Sequence, residues 1–180
     1  MKGSAYRLGT ILLFGVLVAV APVAVLGAGE TVPRFQVVRT PGFEGAIVPA
    51  SIAPHELARL GEAGSYWTPA RSDVERLEAR LPEFVHRAVR DTPRDAGLGL
   101  VPPAEEIRAI DARLGHFRRQ YIGVIRDGRR QILLSAFPVS GFPDWDRRLV
   151  VVLGGGCSFW RAAFDLASEQ FVGLGCNARR

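Results

Sequence analysis

Lysine is nearly missing from this chain: Lys2 is the only one among 23 basic residues, the others all being arginine. Once the N-terminal segment is removed, no lysine remains for Schiff-base chemistry or to grip phosphate in a P-loop. Histidine is scarce as well, and His55, His86 and His116 show none of the close spacings typical of zinc sites. Gly-x-Ser-x-Gly and the twelve-residue calcium-loop pattern are both absent, and Gly154-Gly155-Gly156 lacks the spacing and the following helix of a dinucleotide loop. No metal and no cofactor is expected. Like charges form no block either. Of the net charge of +5, Lys2 and Arg7 supply two, which leaves +3 spread along the rest, a weak basis for binding nucleic acid, and none is expected as a partner.

What is present begins with a targeting signal. Lys2 and Arg7 precede an apolar run from Leu8 to Leu26, and the small residues Gly27-Ala28-Gly29 follow. This is the layout of a secretory signal over residues 1–28, with Pro22 breaking the helix late in the run. The alternative is an uncleaved anchor over residues 8–28, because the run approaches the roughly 20 residues that span a bilayer. Either way the protein is expected to be exported, periplasmic or secreted, and to meet the membrane only through this segment.

Residues 29–66 are rich in Gly, Pro and Ala and read as an extended arm with one strand-like stretch, Arg34 to Val38. Residues 67–180 read as a single α+β domain. Its first helix is expected to be capped by Ser72 with Glu75 bonding back. Val74, Leu77, Leu81, Phe84, Val85 and Ala88 form its apolar stripe, and Glu75, Arg76, Glu78, Arg80, Glu83 and Arg87 lie largely on the other faces. Pro82 predicts a kink rather than an end. A second helix starts at Pro103 with Glu105 and Glu106 at its positive end, and buries Ile107, Ile110, Leu114 and Phe117. Gln120 to Arg126 and Arg129 to Phe137 are β-rich and joined by Asp127-Gly128, a type I′ hairpin signal that sets Tyr121 against Leu134 and Ile122 against Leu133. Leu149 to Leu153 is apolar at every position and reads as a central strand, and two further strands run from Cys157 to Phe164 and from Gln170 to Asn177. The expected fold is α+β: two N-terminal helices packed on a four- to five-stranded antiparallel, curled sheet.

A final hairpin turning around Leu166 and Ala167 places Cys157 directly opposite Cys176, at a spacing that a disulfide can bridge in an oxidising compartment. The rival role, a reactive Cys157 thiolate beside the glycine amides, needs a neighbouring His or a helix N-terminus, and neither is evident. In the strand Arg118-Arg119-Gln120-Tyr121, alternation gives Arg119 and Tyr121 one face and Gln120 the other. Trp67, Arg119 and Tyr121 could line a pocket for an anionic or aromatic ligand; alternatively Tyr121 is core and Arg119 pairs with a helix carboxylate. Asp144-Trp145-Asp146 is a turn that could hold a cation or supply a base.

Trp67-Thr68-Pro69, the Asp73-to-Leu81 helix, Arg119-Gln120-Tyr121-Ile122-Gly123, Ala136-Phe137, Gly155-Gly156-Cys157-Ser158-Phe159 and the terminal Phe171-to-Asn177 strand together resemble a family of small exported bacterial proteins of unknown function, over about Trp67 to Ala178. The resemblance implies export and brings no catalytic residues. The helix-plus-meander layout also looks like the cystatin and nuclear-transport-factor-2-like folds, an analogy of shape. The expectation is a non-enzymatic envelope or secreted module that binds a protein or small-molecule ligand. The rivals are a small hydrolase or isomerase using Asp144 or Asp146 as base, and a structural envelope component tethered by its N-terminus.

Overall fold

The computed structural model describes residues 34–53, 57 and 64–179. The signal or anchor over residues 1–28 therefore lies outside the described residues, as does His55. Seven strands form one open sheet: β1 (Gln36–Thr40), β2 (Phe43–Val48), β3 (Ser65–Trp67), β4 (Phe117–Arg126), β5 (Arg129–Pro138), β6 (Trp160–Asp165) and β7 (Gln170–Cys176). The helices α1 (Arg71–Ala88) and α2 (Ala104–Asp111) fall between β3 and β4. The fold is α+β with a curled, mostly antiparallel sheet, as expected. Two parts of the expectation are corrected: the helices are not both N-terminal, since three strands precede them, and the sheet has seven strands rather than four or five.

β4 is the centre. One of its edges pairs antiparallel with β5, with Tyr121 opposite Leu134 and Ile122 opposite Leu133 around the left-handed Asp127 and Gly128. Its other edge is shared. Residues 118–122 pair in parallel with β2, and residues 123–125 pair antiparallel with β3. Much of the stretch expected to be an arm is thus sheet, because the second edge of this long strand is left for the chain before α1 to fill.

Helix α1 starts earlier than the Ser72 cap implies. Ala70 is the N-cap, and its amide donates to the Asp73 carboxylate, 2.9 Å away. The helix runs on through Pro82 to Ala88. Val74, Leu77, Leu81 and Val85 on α1 and Ile107 and Ile110 on α2 pack on Tyr121, Ile132, Leu134, Trp160, Ala162 and Phe164, all of them buried. Burying one such side chain contributes on the order of 1.5–3 kcal/mol, so this layer is the main apolar core.

The opposite face of the sheet is also covered. Ile122, Val124, Leu133 and Phe137 pack against Phe35, Leu98 and Trp145, with Phe142, Leu149 and Val150 partly buried beside them. Here the expected central strand Leu149–Leu153 is corrected: it is an extended strap across the face, outside the sheet ladder. β5 and β6 pair directly and leave no slot for it. Two amide side chains replace the missing ladder bonds. Gln120 Nε2 donates to the carbonyls of Trp145 (2.6 Å) and Arg148 (2.7 Å), while the Val150 amide donates to Gln120 Oε1 (2.9 Å). Asn177 Nδ2 donates to the carbonyls of Val152 and Gly154. A primary amide carries the same donor and acceptor types as a peptide group, which is why it can stand in for a strand.

Cys157 and Cys176 form a disulfide with Cα atoms 4.8 Å apart, so neither is a free thiol. The bridge forms by a different geometry from the expected opposed pair. Cys157 sits in a short 3-10 turn, Gly156–Ser158, and it is Trp160 that lies opposite Cys176. The reason is a wider turn, together with a bulge in the pairing at Ala163/Phe164. Asp165 Oδ1 accepts from the amides of Ala167 and Ser168 and from Ser168 Oγ, and Glu169 takes a left-handed conformation (φ 52°), so the loop holds Leu166 to Glu169.

Two outcomes follow from this architecture. Gln120→Leu strands two carbonyls and one amide, so chemical denaturation should show a loss of about 2–4 kcal/mol, with faster amide exchange across residues 145–152; a change below about 0.5 kcal/mol would contradict the clamp. Replacing both cysteines by alanine should lower stability by roughly 3 kcal/mol, the entropy of opening a loop of this length.

Candidate functional site

Strand β4 turns Phe117, Arg119 and Tyr121 toward the helices and Gln120 and Ile122 toward the strap, because successive side chains in a strand point to opposite faces. Beneath α1, Arg119 (1 % exposed) and Tyr121 (0 %) meet Glu78 (9 %). Tyr121 Oη donates to Glu78 Oε1 at 2.8 Å, and Arg119 Nη1 lies 3.2 Å from Glu78 Oε2. Gly45 on β2, opposite Arg119, leaves the room that the Tyr121 ring occupies, and a Cβ there would collide with it.

Glu78 corrects the expectation that it faces outward. It lies four residues after Val74 and three before Leu81, inside the apolar stripe. The adjoining Pro82 has no amide to give, which deprives the Glu78 carbonyl of its ordinary helical donor.

Arg119 is incompletely satisfied. Nη2 donates to the Leu114 carbonyl at 2.6 Å. Nη1 is near Glu78 but off the hydrogen-bond direction, and Nε has no partner among the described residues. The Phe43 ring lies 5.7 Å from the guanidinium and meets Tyr121 edge-on. Above the cluster is a recess of about 460 Å³, whose walls include Gly42, Phe43, Glu78, Ala79, Pro82 and Gly115, with Arg119 at its base. Its volume falls within the range of small-molecule sites.

Burial raises the Glu78 pKa, and the Arg119 charge and the Tyr121 hydroxyl only partly oppose it. Burial and then the Glu78 charge push the Tyr121 phenol well above its ordinary value, so it stays a donor. At the far hairpin, bonds from the Ser168 amide and hydroxyl and from the Ala167 amide hold Asp165 below the usual carboxylate range.

The site residues read from the sequence are therefore only partly brought together. Arg119 and Tyr121 share one carboxylate. Trp67, on β3, pairs with β4 farther along, opposite Gly123, where its Nε1 donates to the Val124 carbonyl and Arg130 stacks over its ring. Asp144 is exposed and Asp146 partly so, in a turn whose Trp145 is buried beneath Arg118. His86 is exposed and contacts Asp111. Among the described residues no three His, Cys, Asp or Glu side chains gather as metal ligands would. Glu78 is the residue that sequence reasoning missed, and its position in the helical stripe was the available signal.

A carboxyl group whose pKa is raised by folding binds more protons in the native state, so its contribution is complete below the unfolded value near 4.5 and is lost as pH rises through the higher folded value. Stability should decline across that window in the wild type, and Glu78→Gln should flatten the decline, as read by urea midpoints at successive pH values. An unchanged slope would remove Glu78 as its source. The geometry is the guide to function here, since no protein-family model, no curated protein and no solved structure matches the chain.

Proposed function

We propose that this chain is an exported, non-enzymatic binding module of the envelope or the secreted fraction, and that its small-molecule ligand sits in the recess above Arg119. One observation carries this reading: a guanidinium 1 % exposed, with Nε and Nη1 short of hydrogen-bond partners, at the base of a recess with a largely apolar wall. Burying such donors unpaired costs about 1–3 kcal/mol each, and a ligand acceptor recovers that cost. The disulfide agrees with an oxidising compartment. Among the described residues no helix is long and apolar enough to cross a membrane.

An acid–base enzyme is the second reading, favoured by the raised pKa of Glu78. It would run through Glu78 rather than Asp144 or Asp146. Against it, Tyr121 occupies one Glu78 oxygen and Arg119 faces the other.

Screening ¹⁵N-labelled exported protein by NMR with a panel of small acids, amides and amines tests the reading. Amide shifts should cluster on Phe43, Ala79, Leu114 and Gly115. A panel in which no compound moves these signals at about 10 mM, a few kcal/mol of affinity, would sink it.

A further inference from the structure

Resting on the reading that the recess binds a small molecule, the geometry points to its chemical class: we propose a monocarboxylate with a short apolar tail, its oxygens accepting from Arg119 Nε and Nη1, which make no hydrogen bond to any described residue. Three observations converge on this. The first is the demand for an acceptor, since Nε and Nη1 are donors only, Nε has no hydrogen-bond partner among the described residues, and Nη1 has only the Glu78 carboxylate 3.2 Å away and off the hydrogen-bond direction. The second is the wall. Phe43, Ala79, Pro82 and Leu114 supply carbon surface with room for several methylenes. The third is the cover. Phe43 is the first residue of β2, just after the β1–β2 turn, packs 5.7 Å from the guanidinium and is only partly buried, while the neighbouring Gly42 has open space around it. Arg119 Nε and Nη1 are closed to solvent, so on this proposal the ligand enters as the nearby Phe43 ring turns aside.

Charge balance then sets a consequence. Arg119 and an ionised Glu78 sum to zero, and a second carboxylate in the same buried space would leave one uncompensated negative charge. Glu78 takes up a proton as the ligand arrives, so that the ligand carboxylate replaces it as the counter-ion of Arg119. The groups acting on Glu78 are Arg119 and Tyr121 from β4. Glu75, which is paired with Arg71, stands on the same wall, and the β1–β2 turn and residues 114–115 add only apolar atoms and backbone. The Tyr121 hydroxyl keeps its bond to Glu78 in either protonation state.

Hexanoate and hexanamide are the probes, titrated calorimetrically into the full exported chain in two buffers of different ionisation enthalpy, with the NMR signals of Phe43 and Gly115 as a positional check. Hexanoate should bind with uptake of about one proton and tighten by up to tenfold per pH unit on lowering the pH toward the Glu78 value, while hexanamide binds at least about tenfold more weakly, the worth of one charge-assisted bond. Glu78→Gln should bind hexanoate more tightly than wild type at pH 8 and lose the pH dependence. Phe43→Ala should speed association, and Arg119→Met should abolish binding. If Arg119→Met fails to fold, the pH profile of Glu78→Gln and the proton count still decide. Equal binding of the two probes at the recess would overturn the carboxylate assignment while leaving a binding recess in place. Hexanoate binding without proton uptake would overturn the charge exchange. Silence of the recess signals with both probes, together with silence across the wider panel, would remove the recess as a binding site altogether.

Discussion

Three consecutive residues, Arg119, Gln120 and Tyr121, tie the layers of this protein together. They lie on a strand paired along both edges and covered on both faces, so each polar side chain must find its partners inside the protein. Alternation sends the first and third to Glu78 on α1 and the second to the strap. Slipping β4 by one residue would place a guanidinium under the strap and an amide under the helix. Neither would meet a matching partner, so the polar network fixes the register as firmly as the apolar residues do.

The two sides of that strand are satisfied to different degrees. Gln120 uses both its donors and its acceptor oxygen, and the strap it holds turns an irregular segment into a third layer. Arg119 has a carboxylate and one carbonyl and is left short by two nitrogens. A buried ion pair is weak evidence for stability, since desolvation can match the Coulombic gain. An under-satisfied pair below a recess is the observation on which the proposed ligand rests. Structure and proposed function meet at this asymmetry, one face closed by complete hydrogen bonding and the other with donors to spare.

Local signals in the sequence were reliable wherever the decision was local. Asp127-Gly128 needs left-handed backbone at two successive residues, and that requirement fixed the β4–β5 hairpin and its pairing. The α1 stripe and the acidic first turn of α2 likewise followed from helical spacing. The final hairpin escaped, because Asp165 organises a longer turn than the tightest available one and a bulge at Ala163/Phe164 adds one more residue, which together shift the partners downstream. The cysteines still met, since the chain before β6 curls back as a 3-10 turn instead of extending the strand. In the site, the shared face of Arg119 and Tyr121 was legible from alternation. Their common partner was not, because a Glu on an amphipathic helix ordinarily faces water, and its place in the stripe gains meaning only with Arg119 opposite.

By itself the sequence determined the α+β class, the central hairpin, the faces of β4 and the pairing of the two cysteines, all of which rest on backbone periodicity, turn stereochemistry or the presence of just two thiols. Only the tertiary structure decided that residues 36–48 and 65–67 complete the sheet, that Leu149–Leu153 is a strap, and that Glu78 is buried against Arg119. Each of those outcomes depends on which edges and faces remain open once the other elements have packed, and that competition for partners is written in no single stretch of chain.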